Sequence, residues 1–232
     1  MNIHVLHHVH LSIKHGITLY LEASSHEVTH TNVFENHTLP PISDIDWLII
    51  MGGPMSSNDE EKHPWLIAEQ AFIKEVIDAG KLILAVCLGA QLVAKVLGAK
   101  VTSNTYFEFG WHKLTPSKDV NETFLANIFN QEMTLFHSHG ETFDIPSGAK
   151  RIASSEACKN QGFVYDNRVV AIQFHPEITP ELANLFASHL DDSCKDSPFY
   201  RAVSSDSAAK PLFTQSKRVI EQLLMEIEEN LN

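Results

Sequence analysis

The sequence predicts an α/β fold of three layers: a mostly parallel central sheet with helices on both faces and a small β-rich flank. Three observations lead there. Short apolar runs alternate with amphipathic stretches over about the first hundred residues, the order expected of strand–helix–strand units. Two of those runs, WLII at 47–50 and LILAV at 82–86, are apolar at every position, as in strands buried on both faces. Beyond Val101 the segments are short, strand-like and separated by turns, which suits a mixed sheet with a flank.

In chain order, HVLHHV (4–9) reads as the first strand and HGITLYLEAS (15–24) as a helix with Ile17, Tyr20 and Leu21 on one side. HEVTHTNVF (26–34) is a short strand, and DWLIIMGGP (46–54) is a buried strand running into a glycine turn. HPWLIAEQAFIKEVIDAG (63–80) is a helix: Pro64 stands near its start, Ile67, Ala71 and Val76 are expected inside, and Gly80 closes it. KLILAVC (81–87) is the most apolar strand, and LGAQLVAKVLGA (88–99) is the helix it feeds. EFGWHKLTP (108–116), MTLFHSHGETF (133–143), RIASSEA (151–157), GFVYDNR (162–168) and VVAIQFHPE (169–177) read as strands, and TPELANLFASHL (179–190) as a helix. A polar connector, DDSCKDSPFYRAVSSDSAAKP (191–211), leads to the amphipathic helix TQSKRVIEQLLMEIEENLN (214–232), whose Ile220, Leu223, Ile227 and Leu231 recur at helical spacing. The expected division is one domain over residues 1–190, with the connector and a terminal helix packed on it over 191–232.

Composition narrows the function. A chain of 232 residues with 44% hydrophobic and 20% charged residues can bury one sizeable core. Its formal charge of −12 sets up a field that repels nucleic acid and anionic membranes, and no basic patch interrupts it. The start, MNIHVLHHVHLSIKHG, lacks the basic and apolar blocks of a signal peptide. Three widely spaced cysteines, Cys87, Cys158 and Cys194, fit a reducing compartment, so the expectation is a cytoplasmic enzyme.

Cys87 is the residue that needs explaining. A strand passing through AVCLGAQ directly into a helix places it on a tight turn at the carboxyl end of a central strand, where open α/β sheets form their crevices. The first helical N–H groups point back at that position and favour negative charge there. Ala85 and Gly89 give the small-x-nucleophile-x-Gly spacing of a nucleophile elbow. In QFHPE, His175 and Glu177 stand two apart, so in an extended segment both project to the same side; the carboxylate would fix the imidazole tautomer and leave the other nitrogen to take the thiol proton. The glycines of GGP (52–54) let the backbone approach a ligand, and N–H groups of Gly53 and Leu88 would form a two-point oxyanion hole.

Taken in this order, GGP, CLGAQ, HSHGETF and QFHPE resemble the class I, triad-type glutamine amidotransferases over about residues 46–180, and YFEFGW and HSHGETFDIPSGAKRIASSEAC are similar to segments of the amidotransferase domain of GMP synthase and its stand-alone relatives. The resemblance implies a flavodoxin-like sheet and a glutaminase that releases ammonia, with Cys87 as nucleophile, His175 as base and acid, and Glu177 as orienter. It implies Gln91, Ser138, His139 and Gly140 as contacts for the α-amino and carboxylate end of glutamine. No metal or organic cofactor is expected. Two positions depart from the family pattern, Ala85 where glycine is common and Ala90 where histidine or methionine is common.

No synthase domain or SGGxDS-like loop is present, so the acceptor of the ammonia would be a separate synthase subunit, or the reaction is plain hydrolysis. Two other readings stay open: a γ-glutamyl hydrolase using the same triad on γ-glutamyl amines or peptides, and a catalytically idle regulatory module on the same fold. Elsewhere, His4, His8 and His10 are read as lacking an acidic partner, Trp47, Trp65 and Trp111 as packing residues, and Cys158 and Cys194 as incidental.

Overall fold

A computed structural model describes residues 1–35, 38–203 and 209–230. Its strands are β1 (Asn2–His7), β2 (Glu27–Asn32), β3 (Trp47–Ile50), β4 (Leu82–Val86), β5 (Val101–Pro116), β6 (Met133–Phe143), β7 (Lys150–Arg151), β8 (Ala153–Ser154), β9 (Gly162–Tyr165) and β10 (Val169–Ile172). Its helices are α1 (Gly16–Ala23), α2 (Trp65–Asp78), α3 (Leu88–Val96), α4 (Pro180–Ser188) and α5 (Lys210–Glu229). The main sheet runs β2-β1-β3-β4-β10-β9-β7, parallel through β10 and antiparallel beyond it, and a second sheet, β6-β5-β8, forms the flank.

Strand alternation divides the core in two. Ile3 and Val5 of β1, Trp47 and Ile49 of β3, Leu82, Leu84 and Val86 of β4, and Val170 and Ile172 of β10 meet α1 and α5. The residues between them, Leu6, Leu48, Ile50, Ile83, Ala85, Val169 and Ala171, meet α2 and α3 on the other face. This is the three-layer arrangement that fully apolar strands require. Within α5, Val219, Ile220, Leu223, Leu224 and Ile227 are buried, while Leu231 lies outside the described residues.

Several expectations change. Helix α2 keeps Val76 inside as expected but turns the other two expected positions out: Leu66, Phe72 and Ile73 face inward with Val76, whereas Ile67 is 62% exposed and Ala71 is exposed. Spacing alone admitted either stripe, and the sheet selected the one with the larger side chains. Strand β5 starts at Val101, seven residues earlier than expected, and carries an irregularity between Ser103 and Glu108. The last strand stops at Ile172, because the chain leaves the sheet to pair His175 N–H with the Phe136 carbonyl of β6 at 2.8 Å. Part of the connector is also pinned: Phe109 N–H donates to Phe199 O at 3.1 Å and Arg201 N–H to Phe109 O at 2.8 Å, in parallel with β5. Gly110, at φ 94°, permits this approach, since a Cβ there would overlap the Arg201 carbonyl oxygen.

Candidate active site

Cys87 occupies the single step between β4 and α3 with φ 53° and ψ −108°, a backbone conformation that costs on the order of 1–3 kcal/mol outside glycine. The turn is held from both sides. Cys87 N–H donates to Ile172 O of β10 at 2.8 Å, and the Cys87 carbonyl accepts from Gln91 N–H at 3.1 Å. Gly89 makes the turn possible, because a Cβ there would lie 2.5 Å from the Ile50 carbonyl oxygen of β3.

The residues following β10 bring His175 to the same place. A Cβ built on Gly52 would contact Cys87 Cβ at 3.3 Å and His175 Cε1 at 3.6 Å, so the strand-end glycine is the floor between thiol and imidazole. His175 Nδ1 lies 2.7 Å from Glu177 Oε1, and both side chains are 3% exposed. The pair sits on a turn beyond the strand, not along an extended segment as the sequence suggested. Glu177 is itself anchored: its carbonyl accepts from Gly16 N–H at the start of α1, at 2.8 Å. Burial alone would lower the His175 pKa, but the Glu177 carboxylate and the Cys87 sulfur together raise it to about 10. Apart from the Cys87 sulfur, His175 Nε2 has no partner among the described residues, and the thiol also lies 3.8 Å from Ser138 O.

Gly53 lies beside Leu88, whose N–H belongs to the first turn of α3 and has no acceptor one turn earlier. A Cβ on Gly53 would meet His8 Cβ at 2.7 Å, Met55 Sδ at 2.8 Å and Leu88 Cδ2 at 2.9 Å, so the loop tolerates no side chain. Gln91, one turn into α3, is buried and donates through Nε2 to Gln173 Oε1 at 3.2 Å. Ser138 and Gly140 are half-buried on β6. His139 behaves differently: its Nδ1 is 2.9 Å from Glu141 O and its Nε2 3.0 Å from Glu108 Oε2, so the ring is engaged inside the protein and not at the thiol.

Sequence reasoning missed the partners of these groups. Glu108 is wholly buried among Ser155, Gln161 and His139; a glutamate inside the aromatic run YFEFGW was the available signal. Glu108, His137 and His139 form a group whose ligand-type atoms all lie within 4.8 Å of one another. His8, read as unpaired, bonds Glu69 of α2 through Nε2 at 2.9 Å, and His10 stands 3.2 Å from Glu35; neither lies on β1, which ends at His7. Separations of 61 and 25 residues hide such pairs from any local reading.

A family model for glutamine amidotransferase class-I matches residues 5–189. The chain belongs to that family. Among curated relatives, this amidotransferase is 27% identical to a glutamine amidotransferase-like protein of Salmonella typhimurium over 209 residues, 88% of this chain and 87% of the other. It is 30% identical over 172 residues to a glutamine-hydrolysing GMP synthase subunit of Sulfolobus acidocaldarius, covering 73% of this chain and 83% of that one. The crystal structure of a glutamine amidotransferase from Thermotoga maritima superposes with a TM-score of 0.80 at 26% identity, covering 98% of this chain and 96% of the other. The fold is therefore the flavodoxin-like sheet of the class I amidotransferases. Among the described residues no helix of this amidotransferase is long and apolar enough to cross a membrane.

Proposed function

We propose that this amidotransferase hydrolyses the side-chain amide of glutamine, with Cys87, His175 and Glu177 as its triad. The carrying observation is that a Cβ on Gly52 would touch both Cys87 and His175, at 3.3 and 3.6 Å, with Glu177 on the far nitrogen of the ring. His175, which the Glu177 carboxylate keeps strongly basic, holds the proton drawn from the Cys87 thiol, and the thiolate sulfur attacks the γ-carbonyl carbon of glutamine. The carbonyl electrons move onto oxygen, where N–H groups of Gly53 and Leu88 stabilise the charge. As the carbon–nitrogen bond breaks, His175 returns the proton to nitrogen and ammonia leaves, with a glutamyl thioester on Cys87. Water, deprotonated by His175, then attacks the thioester; the carbon–sulfur bond breaks and glutamate departs. Gln91, Ser138 and Gly140 are assigned to the amino-acid end of the substrate.

A separate synthase chain is the proposed ammonia acceptor, a reading supported by the likeness to relatives that are subunits of GMP synthase. Purified protein supplied with glutamine should release ammonia and glutamate in equal amounts, and Cys87→Ser should release neither. A set of γ-glutamyl amines assayed in parallel decides the substrate: faster turnover of those than of glutamine would replace the proposal with a γ-glutamyl hydrolase. No turnover of any amide, combined with failure of a glutamine-like chloroketone to label Cys87, would make the chain an idle module.

A further inference from the structure

Behind β6, one polar group is buried more deeply than the triad. Glu108 is fully buried, and each of its oxygens is occupied: Oε1 accepts from Ser155 Oγ at 2.6 Å, and Oε2 from Gln161 Nε2 at 2.6 Å with His139 Nε2 at 3.0 Å. The proton inventory follows from the partners. His139 Nδ1 faces a carbonyl, which only accepts, so that nitrogen carries hydrogen. Its Nε2 faces a carboxylate, so a second hydrogen lies between them. Burial, the largest single effect, works against ionisation of Glu108, but the hydrogen bonds from His139 and Ser155 and the nearness of the His137 and His139 rings together outweigh it and hold the carboxyl at about 2. The result is a hydrogen-bonded histidine–carboxylate pair whose own acceptors and donors are already engaged; of the three-residue group only His137 keeps ring nitrogens without a hydrogen-bond partner among the described residues.

The pair is placed to act on the site. Glu108 is the cross-strand neighbour of His139 at the point where the β5–β6 ladder resumes after its irregularity, and Ser138, whose carbonyl faces the Cys87 sulfur, pairs with Phe109 next to it. Phe107, on the other side of Glu108, packs where a Cβ of Gly140 would be, at 2.8 Å. Gln161 continues the chain of contacts: its carbonyl accepts from Gln173 N–H at 3.0 Å, and the Gln173 side chain holds Gln91. A single carboxylate thus ties together Ser138, Gly140 and Gln91, the three groups assigned to the amino-acid end of glutamine.

We propose that Glu108 is a positioning residue for substrate binding: through His139 and Gln161 it fixes the wall that receives the amino-acid end of glutamine, while the nucleophile is set independently by the elbow. This inference rests on the glutaminase reading. Removing a partner of a buried pair changes alignment of the wall before it changes the sulfur.

The test compares the parent with Glu108→Gln and with Ser155→Ala, which removes only one of the bonds onto Glu108. Expected for Glu108→Gln are a KM for glutamine raised tenfold or more, kcat within threefold, a tenfold slower inactivation by the glutamine-like chloroketone, and an unchanged rate of Cys87 alkylation by iodoacetamide. Ser155→Ala should shift KM in the same direction by a smaller factor. An unchanged KM, or a kcat and an iodoacetamide rate that fall together with KM, would overturn the proposal, the second outcome meaning that Glu108 only supports the fold. One equivalent of tightly bound transition metal, lost in Glu108→Gln, would also overturn it. Nitrogen-15 spectra of histidine-labelled protein separate this from the parent reading: a His139 ring signal that shifts in Glu108→Gln establishes the contact, and a parent that shows the contact yet turns over no amide refutes the glutaminase reading and, with it, the positioning role.

Discussion

Glu177 Oε1 and His175 Nδ1 are 2.7 Å apart across a two-residue turn, with Pro176 between them and the Gly16 amide holding the Glu177 carbonyl from α1. The backbone that carries the carboxylate is thus held by the main chain of a helix more than 150 residues earlier in the sequence as well as by its own turn. Such a buried, doubly anchored pair keeps the imidazole in one tautomer, with Nε2 free to exchange a proton with Cys87.

Glu177→Gln should therefore lower kcat by about 10²- to 10⁴-fold, the range of a misaligned general base, with little change in KM. Steady-state ammonia release measures it. A decrease smaller than threefold would remove Glu177 from the triad.

The Gly53 loop makes a sharper demand, since any Cβ there collides with His8, Met55 and Leu88 at under 3.0 Å. Gly53→Ala is expected to displace the loop and reduce kcat by roughly 10²- to 10³-fold, as loss of one oxyanion donor does. Its stability should fall by about 1–3 kcal/mol, as overpacking does. Chemical denaturation and initial rates separate the two effects, and a fully active Gly53→Ala would exclude the loop from the oxyanion hole.

Stability should peak near neutral pH, above 6.5, because three depressed histidines oppose one raised one. His137, fully buried beside Glu108, His139, His112 and His175, is kept well below 6.5 chiefly by burial, so it is neutral when folded and takes up a proton only on unfolding. His15, lowered chiefly by burial, and His7, lowered to about 4 by burial and by His30 beside it, act in the same direction. Each steepens the loss of stability as pH falls below 6.5, by up to about 1.4 kcal/mol per pH unit per group. His175, raised to about 10, acts oppositely: its contribution is complete below 6.5 and is lost as pH climbs toward 10. Urea midpoints across pH 4–10 test this, with His137→Gln flattening the acid limb and His175→Gln the alkaline one. A midpoint that is flat over that range, or unaltered by both substitutions, contradicts the assignment.

Helix α5 carries another contrast. Leu223 and Ile227 are 0% exposed against the sheet, whereas Met225 is 50% exposed. Leu223→Ala or Ile227→Ala should cost about 2–5 kcal/mol, and Met225→Ala about 0.5 kcal/mol or less. Equal, small losses in denaturant midpoint would mean that the helix does not share the core.

What the sequence determined by itself is what short-range chemistry dictates. Fully apolar WLII and LILAV announced a sheet covered on both faces, and AVCLGAQ announced a strand ending in a thiol at a helix start, because periodicity and turn chemistry act between neighbours. The meeting of Cys87 with His175, the inward phase of α2 and the pairing of His8 with Glu69 were decided by tertiary structure. Glu108 makes the reason plain: a buried carboxylate is tolerable only where Ser155, Gln161 and His139 converge on it from other strands and loops, and that convergence is a property of the folded sheets, not of any window of the chain.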